Sequence, residues 1–145
     1  MKNYKTYMVL IGFISTCAYA EEIPTSKILE NKEVDFCLSQ FGERNTDCID
    51  SIREKSDSRL KELFNNKLKN ISSSDYTQWW MGSKEQRDDI IKDFNASQNS
   101  WEAYKVSYCR AASGVDQNTH GYTQELISCY LNMNNRRIEE INLMN

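Results

Sequence analysis

Hydrophobic residues recur at helical spacing in four stretches of this 145-residue chain, and few segments alternate with a period of two. Apolar residues three and four positions apart form one face of a helix, whereas alternation is typical of a half-buried strand. The first stretch is short, from Val34 to Phe41, and Gly42 ends it. The pattern predicts an all-α fold, a small helical bundle of about four helices.

The second stretch is long and runs from Asp47 to about Ile71. Its middle part, residues 53–59, is wholly polar, and only Ser56 is placed to face inward. We interpret this middle part as a solvated helix face. The apolar residues on either side of it share one helix face: Ile49, Ile52, Leu60, Leu63, Phe64 and Leu68.

The third and fourth stretches have clear beginnings. Ser83, followed by Gln86 three residues later, forms a capping box at the start of the third helix. Its inward residues step alternately by four and three, as in the seam of a bundle helix: Ile90, Phe94, Ser97, Trp101, Tyr104, Tyr108 and Ala111. A loop bounded by Gly114 and Gly121 precedes the last helix, which has on one side Leu126, Cys129, Tyr130, Met133 and Arg137.

The first twenty residues have the pattern of a secretion signal. Lys2 and Lys5 precede an apolar run that is too short to cross a bilayer, and a small-x-small cleavage site ends at Ala20. Cys17 permits a rival interpretation as a lipoprotein, but threonine precedes it where a lipobox takes a smaller residue. Cleavage after Ala20 is therefore favoured, which predicts a periplasmic or secreted protein. Residues 21–32 are interpreted as an extended leader and residues 33–145 as one helical domain.

Charge narrows the choice of partner. Loss of Lys2 and Lys5 with the signal leaves 16 basic residues against 21 acidic ones, a net charge of −5. An acidic protein disfavours nucleic acid and anionic membranes as partners and favours a basic protein. No second apolar segment approaches membrane-spanning length, so stable membrane insertion is not expected.

Four cysteines remain after cleavage: Cys37, Cys48, Cys109 and Cys129. An even number of cysteines in an exported domain favours disulfides. A glycine-containing turn or loop separates Cys37 from Cys48 and Cys109 from Cys129, and each folds one helix back onto the next. The pairing Cys37–Cys48 and Cys109–Cys129 is therefore favoured among the three possible connectivities. No C-x-x-C motif is present, which argues against a zinc or redox site. We expect no metal and no cofactor.

The second cysteine pair belongs to a motif of fixed spacing: Gln98-x-x-Trp101-x-x-Tyr104-Lys105-x-x-x-Cys109, followed by Cys129, Arg136 and Ile141. An earlier pattern has Cys48, then Asp57-x-x-Leu60-x-x-x-Phe64. Both patterns resemble those of the LprI-type lysozyme-inhibitor domain, and the resemblance extends from Cys37 to Ile141. It implies a small helical envelope protein, in some members an inhibitor of lysozyme.

We interpret the motif residues as structural. Trp101, Tyr104 and Tyr108 have seam spacing and are expected in the core, and Lys105 belongs to the same motif. Gln98 and Arg136 are expected to join neighbouring helices through a hydrogen bond.

Two loops carry the candidate partner-binding residues. The first contains Tyr76, Trp79 and Trp80, with Asp75 beside them. Aromatic side chains dominate interface hot spots, and adjacent tryptophans point apart, so at least one should lie near the surface. The alternative is that one tryptophan closes the end of the bundle. The second loop, Gly114 to Gly121, contains Asp116 and the only histidine, His120.

The sequence therefore favours a binding protein that inhibits a peptidoglycan-cleaving enzyme, such as a lysozyme-like muramidase. The alternative is an immunity protein that neutralises an envelope-targeting toxin of a rival bacterium. Enzymatic activity is disfavoured because the single histidine has no evident nucleophile partner and no phosphate-binding glycine loop is present.

Overall fold

The structure is a computed structural model that describes residues 27–42, 46–78, 82–119 and 121–144. The predicted signal sequence, Cys17 and most of the predicted leader lie outside the described residues. Helices account for nearly all of the described chain, which contains no strand: α1 (Lys32–Phe41), α2 (Thr46–Ser73), α3 (Lys84–Ala112) and α4 (Tyr122–Leu143). Single 3-10 turns follow α2 and α3, at Tyr76–Gln78 and Gly114–Asp116. The predicted all-α bundle of four helices is confirmed.

The first and third helices begin at side-chain caps. The Asn31 side chain accepts a hydrogen bond from the Glu33 N–H at the start of α1. The Ser83 hydroxyl accepts from the Gln86 N–H at 3.2 Å, as the capping box predicts. Gly42 ends α1 with a φ of 68°, a backbone conformation that favours glycine, and its N–H donates to the Leu38 carbonyl. This left-handed residue turns the chain toward α2.

Helix α4 is the central helix of the bundle. It packs against the other three helices, most extensively against α2. Eight of its residues are buried, more than in any other described helix. Apolar burial is the main driving force of folding, so α4 provides the surface on which the longer helices assemble. No described helix has the length and hydrophobicity that a membrane crossing requires.

Two disulfides join consecutive helices. Cys37 of α1 bonds to Cys48 of α2, with Cα atoms 5.7 Å apart. Cys109 of α3 bonds to Cys129 of α4, with Cα atoms 5.6 Å apart. The local pairing favoured from the sequence is the one the structure shows. Each closed loop stabilises the fold by roughly 2–4 kcal/mol, mainly through the entropy of the unfolded chain.

The segment before α1 is fastened to α4 by one amide side chain. Asn132 Nδ2 donates to the carbonyls of Ile28 and Glu30 at 2.9 and 2.8 Å. Its Oδ1 accepts from Asn31 Nδ2 at 2.8 Å. Ile28 is buried in the larger core cluster. The last residues of the predicted leader are therefore packed against the bundle.

The inward face of α3 differs from the predicted seam. Tyr104 is 55 % exposed and Ala111 is exposed, whereas Lys105 and Cys109 are buried. Cys109 must face α4 to bond with Cys129, and at about 100° per residue Tyr104 points roughly 140° away from it. Buried positions therefore advance by four residues from Trp101 to Lys105 and Cys109. The expectation that Tyr104 is a core residue was wrong.

Candidate functional site

A buried ammonium group lies where α2, α3 and α4 meet. Lys105 Nζ donates to Asn134 Oδ1 at 3.0 Å and forms an ion pair with Glu102 Oε2 at 2.9 Å. Asp57 Oδ1 lies 3.8 Å away, across the interface with α2. The lysine side chain is only 9 % exposed. A buried charge is tolerated only when it is paired and hydrogen-bonded, and these partners meet that requirement.

Asn134 extends this cluster to α2. Its Nδ2 donates to the Ser56 hydroxyl at 3.0 Å and to Asp57 Oδ1 at 2.8 Å. The Asn134 side chain is almost fully buried, at 1 % exposure. The polar middle of α2, which we interpreted as a solvated face, therefore supplies two partners for a buried amide. We call Ser56, Asp57, Glu102, Lys105 and Asn134 the polar cluster.

Trp101 contacts two cationic side chains, Lys105 of its own helix and Arg137 of α4. Lys105 Nζ is 4.8 Å from the centroid of its ring, and Arg137 Cζ is 5.9 Å from it. Arg137 Nε donates to Gln98 Oε1 at 3.0 Å, and its Nη2 donates to the Ser97 hydroxyl at 2.8 Å. These contacts hold α4 against α3.

The arginine that bridges to Gln98 is Arg137, not Arg136. Arg136 is exposed, whereas Arg137 faces α3. The sequence contained a signal for this result, because Arg137 is on the same helix side as Cys129 and Met133. The predicted hydrogen bond between helices therefore exists, with a different donor.

A polar groove separates α2 from α3 beside the polar cluster. Its volume is about 310 Å³. Five residues of the two sequence motifs line it: Asp57, Leu60, Phe64, Gln98 and Lys105. Their spacing along the chain did not predict that they enclose a cavity. The groove is lined by Asp57, Leu60, Lys61 and Phe64 of α2 and by Gln98, Glu102 and Lys105 of α3. Phe64 also stacks on Phe94, with ring centroids 4.6 Å apart.

The first candidate binding loop begins with a fixed turn. Asp75 Oδ1 accepts from the Thr77 N–H at 3.0 Å and from the Thr77 hydroxyl. The hydrogen bonds from Thr77 hold the pKa of Asp75 below its ordinary value. Tyr76 is half-buried, and its 3-10 turn packs against α3. Trp79 and Trp80 lie outside the described residues.

A carboxyl group of the second candidate loop, Asp116, interacts with the carboxyl group of Glu125 in α4. Glu125 is half-buried, and its Oε2 atom is buried with no hydrogen-bond partner among the described residues. Burial raises the pKa of Glu125, and the neighbouring Asp116 carboxyl raises it further. Asp116, which we predicted as a contact for a partner, therefore interacts with α4. His120 lies outside the described residues.

The structure separates the described residues of the two loops. Asp75 lies near enough to Arg87, at the start of α3, for their charges to interact, whereas Asp116 follows the end of that helix. The 26 residues of α3 from Arg87 to Ala112 extend about 39 Å along the axis, at 1.5 Å per residue. A standard interface of about 800 Å² per partner is roughly 30 Å across. One such interface does not include both Asp75 and Asp116.

The sequence also matches a known family over most of the four-helix unit. The model of the family described as Lysozyme inhibitor LprI matches residues 37–141. The chain belongs to this family. No curated protein and no solved structure matches it. LprI proteins are secreted or periplasmic binding proteins without a catalytic role. No group of three or more His, Cys, Asp or Glu residues is placed to hold a metal ion in the described part of this LprI chain.

We predict that Asn134→Leu destabilises the bundle by about 2–4 kcal/mol. The leucine removes an acceptor from the buried Lys105 ammonium and leaves the Ser56 hydroxyl and Asp57 without their donor. Urea unfolding of the purified protein measures the loss. Asn135→Leu is the matched control, because Asn135 is exposed on the same helix, and its effect should stay within about 0.5 kcal/mol. Equal effects of the two substitutions would show that the polar cluster does not hold the helices together.

We predict that Glu125→Gln raises the melting temperature at pH 7 by a few degrees. The pKa of Glu125 is raised in the folded protein, so the folded state binds this proton more tightly than the unfolded state does. Protonation of Glu125 therefore stabilises the fold fully at low pH. That contribution is lost as the pH rises from the unfolded value, near 4.5, through the folded value. Glutamine resembles the protonated form and should flatten this dependence. Glu139→Gln, at an exposed position of the same helix, should leave the pH profile of wild-type stability unchanged.

Proposed function

We propose that this chain is a periplasmic or secreted inhibitor that binds a peptidoglycan-cleaving enzyme, most simply a lysozyme, and blocks it by docking on its surface. The single observation that carries the proposal is the family match, which spans residues 37–141 and so includes α2, α3, the second half of α1, nearly all of α4 and both disulfides. The signal-like residues 1–20, with cleavage after Ala20, fit an inhibitor that acts outside the cytoplasm.

The charge of the chain supports a basic target. With the signal removed, the chain has 21 acidic and 16 basic residues. Complementary charge increases the rate of association and helps to set specificity, and its effect decreases as salt increases. A basic muramidase therefore suits this acidic protein.

We propose the segment from Asp75 to Trp80 as the principal docking element. Its described beginning is anchored, because Asp75 closes a turn on Thr77 and the Tyr76 turn packs against α3. An anchored turn lowers the entropy lost when neighbouring aromatic residues bind a partner. Asp116 and His120 remain a second candidate. Asp116 does not share a standard-size interface with Asp75, because about 39 Å of helix α3 separates Asp116 from the Arg87 end.

We predict that the purified mature protein, with both disulfides formed, inhibits lysozyme in a turbidity assay on bacterial cell walls. Inhibition should reach completion at about one inhibitor per enzyme, and added salt should weaken it because part of the attraction is between charges. The proposal is contradicted if micromolar protein leaves several types of lysozyme fully active.

We predict that Trp79→Ala combined with Trp80→Ala abolishes inhibition while the bundle stays folded, since large aromatic side chains carry most of the energy of typical interfaces. Circular dichroism and the melting temperature check the fold. Phe36→Ala with Phe41→Ala is the matched control, because these phenylalanines of α1 are 60 % and 63 % exposed. If the phenylalanine variant loses as much inhibition as the tryptophan variant, the docking surface includes α1 and the proposal is contradicted. If the tryptophan variant is unfolded, Trp79 and Trp80 belong to the core.

A further inference from the structure

The groove between α2 and α3 contains more negative charge than its buried ammonium neutralises. Glu102 Oε2 and Asp57 Oδ1 lie 2.9 and 3.8 Å from the same Lys105 nitrogen. The lysine side chain is 9 % exposed, whereas the side chains of Glu102 and Asp57 are 47 % and 52 % exposed. The positive charge therefore lies at the bottom of the groove, and both carboxylates extend from it toward solvent.

The other cation of the groove does not remove this imbalance. Lys61 is exposed and forms no ion pair within the part of the chain that the structure describes. A lysine on a flexible stem is strongly hydrated and loses side-chain entropy when it is fixed. Lys61 is therefore free to move aside when a better donor for the carboxylates enters the groove.

Two residues of the groove lining are apolar. Leu60 is buried, and Phe64 is half-buried and stacks on Phe94. Apolar surface in the same groove as two carboxylates matches the arginine side chain, whose hydrocarbon stem packs on apolar surface while its planar guanidinium donates to carboxylates in a fork. The groove volume of about 310 Å³ is at the lower end of the range for ligand pockets, which suits one side chain.

We propose that this groove receives an arginine side chain from the surface of the target enzyme, with Asp57 and Glu102 as the acceptors of its guanidinium. The inference rests on the proposed function, since it names the chemistry by which the inhibitor recognises a basic muramidase. Leu60 and Phe64 contact the stem of the arginine. Lys61 opposes binding and limits it to partners that supply a stronger donor set.

The position of the groove is compatible with the proposed docking element. Gln98 and Glu102 are 11 and 15 residues from Arg87, near which Asp75 lies, or about 16 and 22 Å along the axis of α3. One interface of standard size, roughly 30 Å across, is long enough to include both features. The groove therefore adds a charged contact to the docking surface.

The test combines two measurements on the mature, disulfide-bonded protein. In the first, the dissociation constant for a basic lysozyme is measured for wild type and for Asp57→Asn with Glu102→Gln. Both carboxylates are partners of the buried Lys105, so the melting temperature of the variant is measured too, and binding is compared where circular dichroism shows that it is folded. We expect the dissociation constant to rise at least about tenfold, because the two acceptors of a guanidinium lose their charge. Asp35→Asn with Glu139→Gln is the control, since both residues are exposed on α1 and α4 and the net charge changes equally. Lys61→Met should lower the dissociation constant several-fold.

The second measurement uses N-acetylarginine amide as the probe, in an NMR titration of the amide signals. Shifts confined to residues 57–64 and 98–105, and absent from the Asp57→Asn, Glu102→Gln variant, are expected. The inference is overturned if the amide signals of these residues do not shift in wild type. It is also overturned if the Asp57→Asn, Glu102→Gln variant changes the dissociation constant for lysozyme no more than the charge-matched control does. If wild type binds the arginine amide in the groove and no lysozyme, the proposed function fails while the arginine site stands.

Discussion

One buried ammonium connects the three long helices of this protein. Lys105 projects from α3 into contact with Asn134 of α4 and the carboxylate of Asp57 on α2. Because an uncompensated charge in this position would cost several kcal/mol, the helices must keep the register that brings Asn134 and Asp57 to it. The same ammonium also lies over the rings of Trp101 and Tyr130, at 4.8 and 5.9 Å from their centroids. The groove follows from the same arrangement, since its carboxylates are the exposed partners of that lysine.

Local features of the sequence predicted the helices, the cap at Ser83 and both disulfides, because spacing and turn residues determine them over short distances. The buried face of α3 was predicted less well. Because lysine is rarely buried, the pattern of apolar residues assigned Tyr104 to the core and did not include Lys105. The partner that makes its burial possible, Asn134, is 29 residues further along the chain. The groove depends on contacts between α2 and α3 that no local pattern contains.

Family membership and surface chemistry support different parts of the function. The match to the LprI family assigns the chain to a class of secreted binding proteins. The described surface limits how such a protein makes contact, because α3 holds the two candidate loops at its opposite ends. In our proposal, a partner of ordinary size meets one end of the bundle together with part of the α2–α3 groove. The loop at that end and the side chains that line the groove then set the specificity of this chain.

The two disulfides also affect how the protein matures. Each joins cysteines that are consecutive along the chain, separated by 11 and 20 residues. In the export that we propose for this chain, the amino terminus emerges first, so Cys37 would meet Cys48 before Cys109 has crossed the membrane. Oxidation in order of emergence would then produce the native pairing directly. The docking of α1 and α2 onto α4, across 101 residues between Asn31 and Asn132 and 77 between Asp57 and Asn134, has to wait for the whole domain.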